Sequence, residues 1–150
     1  MRSVAAALTV MTLAACDGLG SSALDSTYAN LDELKSDGAM ERGWVPLWVP
    51  QTSRIILESH DVDTSVSSLR LSFAPTEGWS VPSTCAPAAA DALPMPRLKP
   101  LWWPRGVPSA KGEGAKFAYF KCAGSSKTLV ESLAVDSKSG DLLYWRSHAA

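Results

Sequence analysis

The sequence predicts an α+β fold, with one N-terminal helix packed on a small, mostly antiparallel sheet of about four to five strands and a long Pro-rich loop. Three observations carry this prediction. An amphipathic stretch around Tyr28, Leu31 and Leu34 comes first, and several later stretches have strand periodicity. Seven of the ten prolines then fall between Val81 and Ser109. At 150 residues and 46% hydrophobic, the chain can build one core, which excludes wholesale disorder.

The elements follow in order. Ser26 is placed to cap a helix running to about Asp37, with Gly38 as its stop and Asp32, Glu33 and Lys35 on its polar face. A helix this short is marginal alone and must lie on the rest of the domain. Arg54 to Ser59 is a β-branched run, and Leu69, Leu71 and Phe73 alternate with Arg70 and Ser72. Phe117 to Cys122 reads as a strand apolar on both faces. Leu129, Leu133 and Val135 mark another, and Leu142 to Trp145 follows a turn at Gly140. Prolines 82, 87, 94, 96, 100, 104 and 108 block helix interiors and sheet ladders, so their segment is expected to be irregular.

The N-terminus carries an address. Arg2 precedes an uncharged, mostly apolar run from Val4 to Ala14. That run is too short for a bilayer, which needs about 20 apolar residues, but it fits a signal peptide. Leu13-Ala14-Ala15-Cys16 resembles the lipobox of bacterial lipoproteins. The resemblance implies cleavage after residue 15 and lipidation of Cys16, placing the chain in the cell envelope facing the periplasm. Two or more lipid chains hold a protein to a membrane stably. Residues 16–25 then read as the lipidated cysteine and a flexible tether, and 26–150 as a single globular domain. Asp17 resembles an inner-membrane retention signal, but the rule varies among bacteria, so the choice of membrane stays open.

Two further cysteines remain, Cys85 and Cys122. In an oxidising compartment an even pair is expected to form a disulfide; two buried free thiols are the alternative.

From Gly38 to Ser65 lies a distinctive element. Gly43-Trp44-Val45-Pro46, then Pro50, lead through an isoleucine-containing run with Ile55 and Glu58 into His60-Asp61-Val62-Asp63-Thr64. This pattern resembles short bacterial lipoproteins that carry a YbbD-head-type domain. Trp102-Trp103-Pro104 and Leu142-Leu143-Tyr144-Trp145 extend the resemblance. It implies an envelope lipoprotein and no particular activity. Physically, Pro46 between Trp44 and Trp48 rules out an unbroken helix there and suggests an extended segment whose indoles pack onto the sheet. Asp63 before Thr64 suits a turn whose carboxylate accepts backbone N–H groups.

Chemistry-bearing patterns are sparse. Glu58, His60, Asp61 and Asp63 form the densest polar cluster, but on a strand the first two and last two face opposite sides. Their spacing matches neither His-Glu-x-x-His nor an EF-hand, so a turn is expected, not a metal site. Gly-x-Ser-x-Gly and Ser-x-x-Lys are absent, and the glycines before Lys127-Thr128 lack phosphate-loop spacing. No catalytic residue, metal ligand or cofactor is therefore assigned, and the chain is expected not to be an enzyme.

Binding is the remaining class. Trp102, Trp103 and Arg105 sit on the proline-stiffened loop, where ordering them costs little entropy; alternatively the indoles fold back to cover the core. A formal net charge of −1 argues against nucleic acid. The expected function is a lipid-anchored, non-catalytic binding or structural module, with the membrane and an envelope protein as partners. The alternatives are an immunity-type inhibitor of a cell-wall-attacking toxin and a glycan or small-molecule binder.

Overall fold

The computed structural model describes residues 22–124 and 126–149. The segment read as a signal peptide and Cys16 lie outside them. The strands are β1 (Ala23–Asn30), β2 (Arg54–Asp61), β3 (Ser67–Ser72), β4 (Cys85–Pro87), β5 (Ala118–Cys122), β6 (Leu129–Asp136) and β7 (Asp141–His148), and the helix is α1 (Leu31–Asp37). Among the described residues they form one antiparallel sheet of seven strands, ordered β1-β2-β3-β7-β6-β5-β4.

The sheet is thus larger than the four to five strands expected, and both additions are edge strands. One is β4, three residues long and ending in Pro87, a residue tolerated at an edge where no ladder bond is demanded of it. The other is β1, which occupies residues read as tether and first helical turns. Ser26 does not cap a helix; it pairs with Glu58 in the β1–β2 ladder. The cap is Asn30, whose side chain accepts the Glu33 N–H at 3.0 Å, while the Glu33 carboxylate accepts the Ala29 N–H at 2.6 Å. Pairing with β2 overrides the helical spacing, yet Tyr28, Leu31 and Leu34 still enter one core, the first from a strand and the others from the helix. Gly38 stops the helix in the left-handed conformation, as the sequence predicts.

Strand alternation sorts the apolar residues onto two faces. Ile56, Leu69, Leu71, Leu133, Val135, Leu142 and Tyr144 point to the face covered by α1 and the Trp44–Trp48 segment. Tyr119, Ala134, Leu143 and Trp145 point to the other, under Trp103, Val107 and Leu93. The run Leu142-Leu143-Tyr144-Trp145 is continuously apolar because β7 lies near the centre of the sheet with both faces covered.

The Pro-rich segment supplies the second cover, and sheet side chains bind its carbonyls. Trp145 Nε1 donates to Pro94 O (2.8 Å), Ser147 Oγ to Met95 O (3.0 Å), Ser68 Oγ to Leu98 O (2.7 Å) and Arg70 Nη1 to Trp102 O (3.2 Å). A loop laid on a sheet face has no ladder of its own, so these donors stand in for water.

Cys85 and Cys122 are bonded and lie directly opposite each other, tying β4 and the start of this segment to β5. Replacing both by serine should lower stability by about 3–4 kcal/mol, the loop-closure value for a 37-residue separation. Urea unfolding measures it; an unchanged midpoint would mean that the β4–β5 pairing holds the segment without the bond.

Candidate functional site

The polar element identified in the sequence starts with a turn-rich stretch, not the extended one expected. Gly43 adopts a left-handed φ of 75° and donates its N–H to Met40 O, and Trp44 N–H bonds to Ala39 O. Pro46 and Pro50 each head a further turn, accepting N–H bonds from Val49 and Ser53. These turns place Trp44 and Trp48 on the sheet, as anticipated. Trp48 meets Tyr144 edge-on, and Trp44 stacks on His60 with ring centroids 3.4 Å apart and planes 16° from parallel.

His60 and Glu58 lie two apart on β2 and share its α1-side face. Both are buried, at 2% and 0% exposure, and His60 Nδ1 lies 3.0 and 3.1 Å from the two carboxyl oxygens of Glu58. The indole of Trp44 covers the imidazole, and the Arg42 guanidinium lies 4.3 Å from the indole centroid. The result is a layered stack of guanidinium, indole and imidazole, with the carboxyl bonded at the imidazole edge. His60 Nε2 has no hydrogen-bond partner among the described residues. Burial pushes the Glu58 carboxyl above its ordinary range, opposed by the hydrogen bond and charge of His60.

Asp61 and Asp63 are not brought into this pair. The turn role expected of Asp63 belongs to Asp61, whose Oδ1 accepts the N–H groups of Asp63 and Thr64, each at 2.9 Å. Ser22 Oγ donates to Asp61 Oδ2 at 2.7 Å, and these bonds hold the carboxyl below the usual range. Asp63 and Thr64 contribute their backbone and stay exposed. Among the described residues no group of three or more His, Cys, Asp or Glu side chains is placed to hold a metal ion.

The loop triplet separates. Trp103 is 7% exposed, edge-on to Trp145 and bonded through Nε1 to Val107 O, so it floors the second core. Trp102 is half-buried beside it, and Arg105 is exposed. Trp103, Lys99, Leu101 and Arg105 line a concavity of about 290 Å³ with Met95 at its margin. Leu101, fully exposed, is the residue sequence reasoning missed; a leucine between Pro100 and two tryptophans looks like any core residue.

The buried pair predicts a measurable coupling. His60→Phe keeps a ring under Trp44 but leaves Glu58 without its partner, and should cost about 3–5 kcal/mol. Glu58→Leu combined with His60→Phe should recover most of that; purely additive losses in urea unfolding would show that the pair does not act as a unit. The pH dependence has a definite sign. The fold raises the Glu58 pKa, so its contribution is fully present below about 4.5 and declines as pH climbs through the raised value. Stability profiles of Glu58→Gln should lack that decline.

No curated protein and no solved structure matches the chain. The family model of the YbbD head domain matches residues 23–72. The match runs from β1 through α1 and the Trp44 turns to the end of β3, taking in the Trp44–His60–Glu58 stack and the Asp61 turn. Over these residues the chain carries a YbbD-head-type domain.

Proposed function

We propose that this chain is a lipid-anchored bacterial envelope protein, facing the periplasm and acting as a non-catalytic binding or structural module. The observation that carries this reading is the division of labour between its polar residues. Those of the matched segment are bonded within the fold: Glu58 to His60, and Asp61 to the turn that follows it. A substrate could meet the His60 ring face only by displacing Trp44. The outward-facing surface of the Pro-rich segment instead presents Leu101 and Arg105 around a shallow concavity. Exposed apolar and arginine side chains on a stapled loop suit docking.

Two features support the location. The Leu13-Ala14-Ala15-Cys16 sequence has lipobox form. The Cys85–Cys122 disulfide belongs in an oxidising compartment. A glycan binder would need open indole faces, and Trp103, buried against Trp145, offers none. The inhibitor reading uses the same surface and differs only in its occupant.

The test is fractionation of the full chain with and without Cys16. The wild-type chain should take up labelled palmitate and remain with membranes after a high-salt wash, and Cys16→Ala should do neither. A wild-type chain without label, or a Cys16→Ala chain equally resistant to the wash, would sink the anchor.

A further inference from the structure

The Pro-rich surface has a charge that the whole chain conceals. Between Ala92 and Gly112 stand Arg97, Lys99, Arg105 and Lys111 with no acidic residue among them, the stretch being flanked by Asp91 and Glu113, in a chain whose net charge is −1. All four are exposed, and none has an ion-pair partner among the described residues. Elsewhere Arg42 pairs with Asp37, Arg70 with Asp141, and Lys116 with Asp136 and Asp141. Lys35, Arg54, Lys121, Lys127 and Lys138 are also exposed without an ion pair among the described residues. What marks this surface is the grouping of its cations around exposed apolar side chains. Lys99 and Arg105 line the same concavity as Met95 and Leu101, which are themselves exposed. Half-buried Trp102 lies behind them. Unpaired cations around projecting apolar side chains, with an aromatic just inside, match the chemistry of an anionic bilayer surface.

The fold also sets the Met95 end of this surface beside the start of β1. β1 begins at Ala23, opposite Asp61 at one end of the sheet. Ser147, which holds the Met95 carbonyl, lies at that same end, one residue beyond the Arg146–Ser67 pair. The Met95 end of the cover therefore lies where the N-terminal segment joins the sheet. The surface runs from there past Trp102, over Arg70, toward Pro104 beside Asp141 at the opposite end. Six residues, 17–22, separate Cys16 from β1 and span at most about 20 Å.

We propose that the Met95–Arg105 surface docks on the anionic headgroups of the membrane in which the chain is anchored, with Leu101 entering the interface and Lys99 and Arg105 contacting phosphate. This rests on the lipid-anchor reading, and the experiment separates the two. The full chain is mixed with phosphatidylcholine vesicles, or with vesicles that also contain phosphatidylglycerol. Flotation is measured together with the rate of lysine acetylation, read by mass spectrometry. Lys35 is the internal control, since it is exposed on α1, which packs on the opposite sheet face.

Flotation with phosphatidylcholine vesicles reports the anchor; its loss in Cys16→Ala attributes it to lipid. Docking is reported by Lys99 alone. Its acetylation should slow about tenfold relative to Lys35 when phosphatidylglycerol is present, and high salt should abolish the effect. Leu101→Ser with Arg105→Ala, which touch no core contact, should remove the protection. A chain that fails to float on phosphatidylcholine but shows salt-sensitive Lys99 protection on phosphatidylglycerol would refute the anchor and keep the docking surface. Equal Lys99 rates on both vesicles overturn the docking. Protection in native membranes but not on phosphatidylglycerol would assign the surface to a protein partner, and overturns it as well.

Discussion

The fold is governed by one constraint: its sheet is apolar on both faces, and the only α-helix among the described residues is seven residues long. Sheets of this kind are usually covered by helices, whose backbone bonds are internal. Here irregular chain must do most of that work, and irregular chain brings unpaired carbonyls. The sheet answers with Ser68, Arg70, Trp145 and Ser147, each donating to a carbonyl of the Pro-rich cover. Proline suits such a cover because it stiffens the segment and removes a donor that would otherwise need a partner. The Cys85–Cys122 bond then fixes where the cover begins.

The same constraint explains the Trp44 stack. Face-to-face contact with the imidazole seals the end of β2, where α1 no longer reaches and where His60 would otherwise leave a polar edge open. Glu58 is tolerated inside because His60 bonds it, although burial still disfavours its charge. Such a pair contributes little net stability while both members are present, and a great deal of instability when one is lost.

How much of this was legible follows from where the information resides. Five interior or hairpin strands were readable because their apolar periodicity is local, and the Gly140 turn because its conformation demands glycine. β1 was misread because Tyr28, Leu31 and Leu34 satisfy helical spacing, and only pairing with β2 makes the first of them a strand residue. β4 hid in the proline run, since three residues carry no period. In the site, the element Gly43–Thr64 was visible as a motif, but its roles were not. Which aspartate holds the turn depends on where β2 ends, and the Glu58–His60 contact depends on what lies above them.

The surface tells the opposite story. Its cations were plain in the sequence, yet their significance needed the fold, which sets Lys99 and Arg105 around a concavity with exposed Leu101 and Met95. Net charge averaged over the chain hid that grouping. Asp136 and Asp141 are matched by their own partners, while exposed Asp91 and Glu113 bound the basic stretch at either end. On the proposed anchor, a tether of at most about 20 Å would keep the domain close to the bilayer. Cations grouped around exposed Leu101 would then bias how the domain sits, so the cover that closes the second core also presents the features that would orient it.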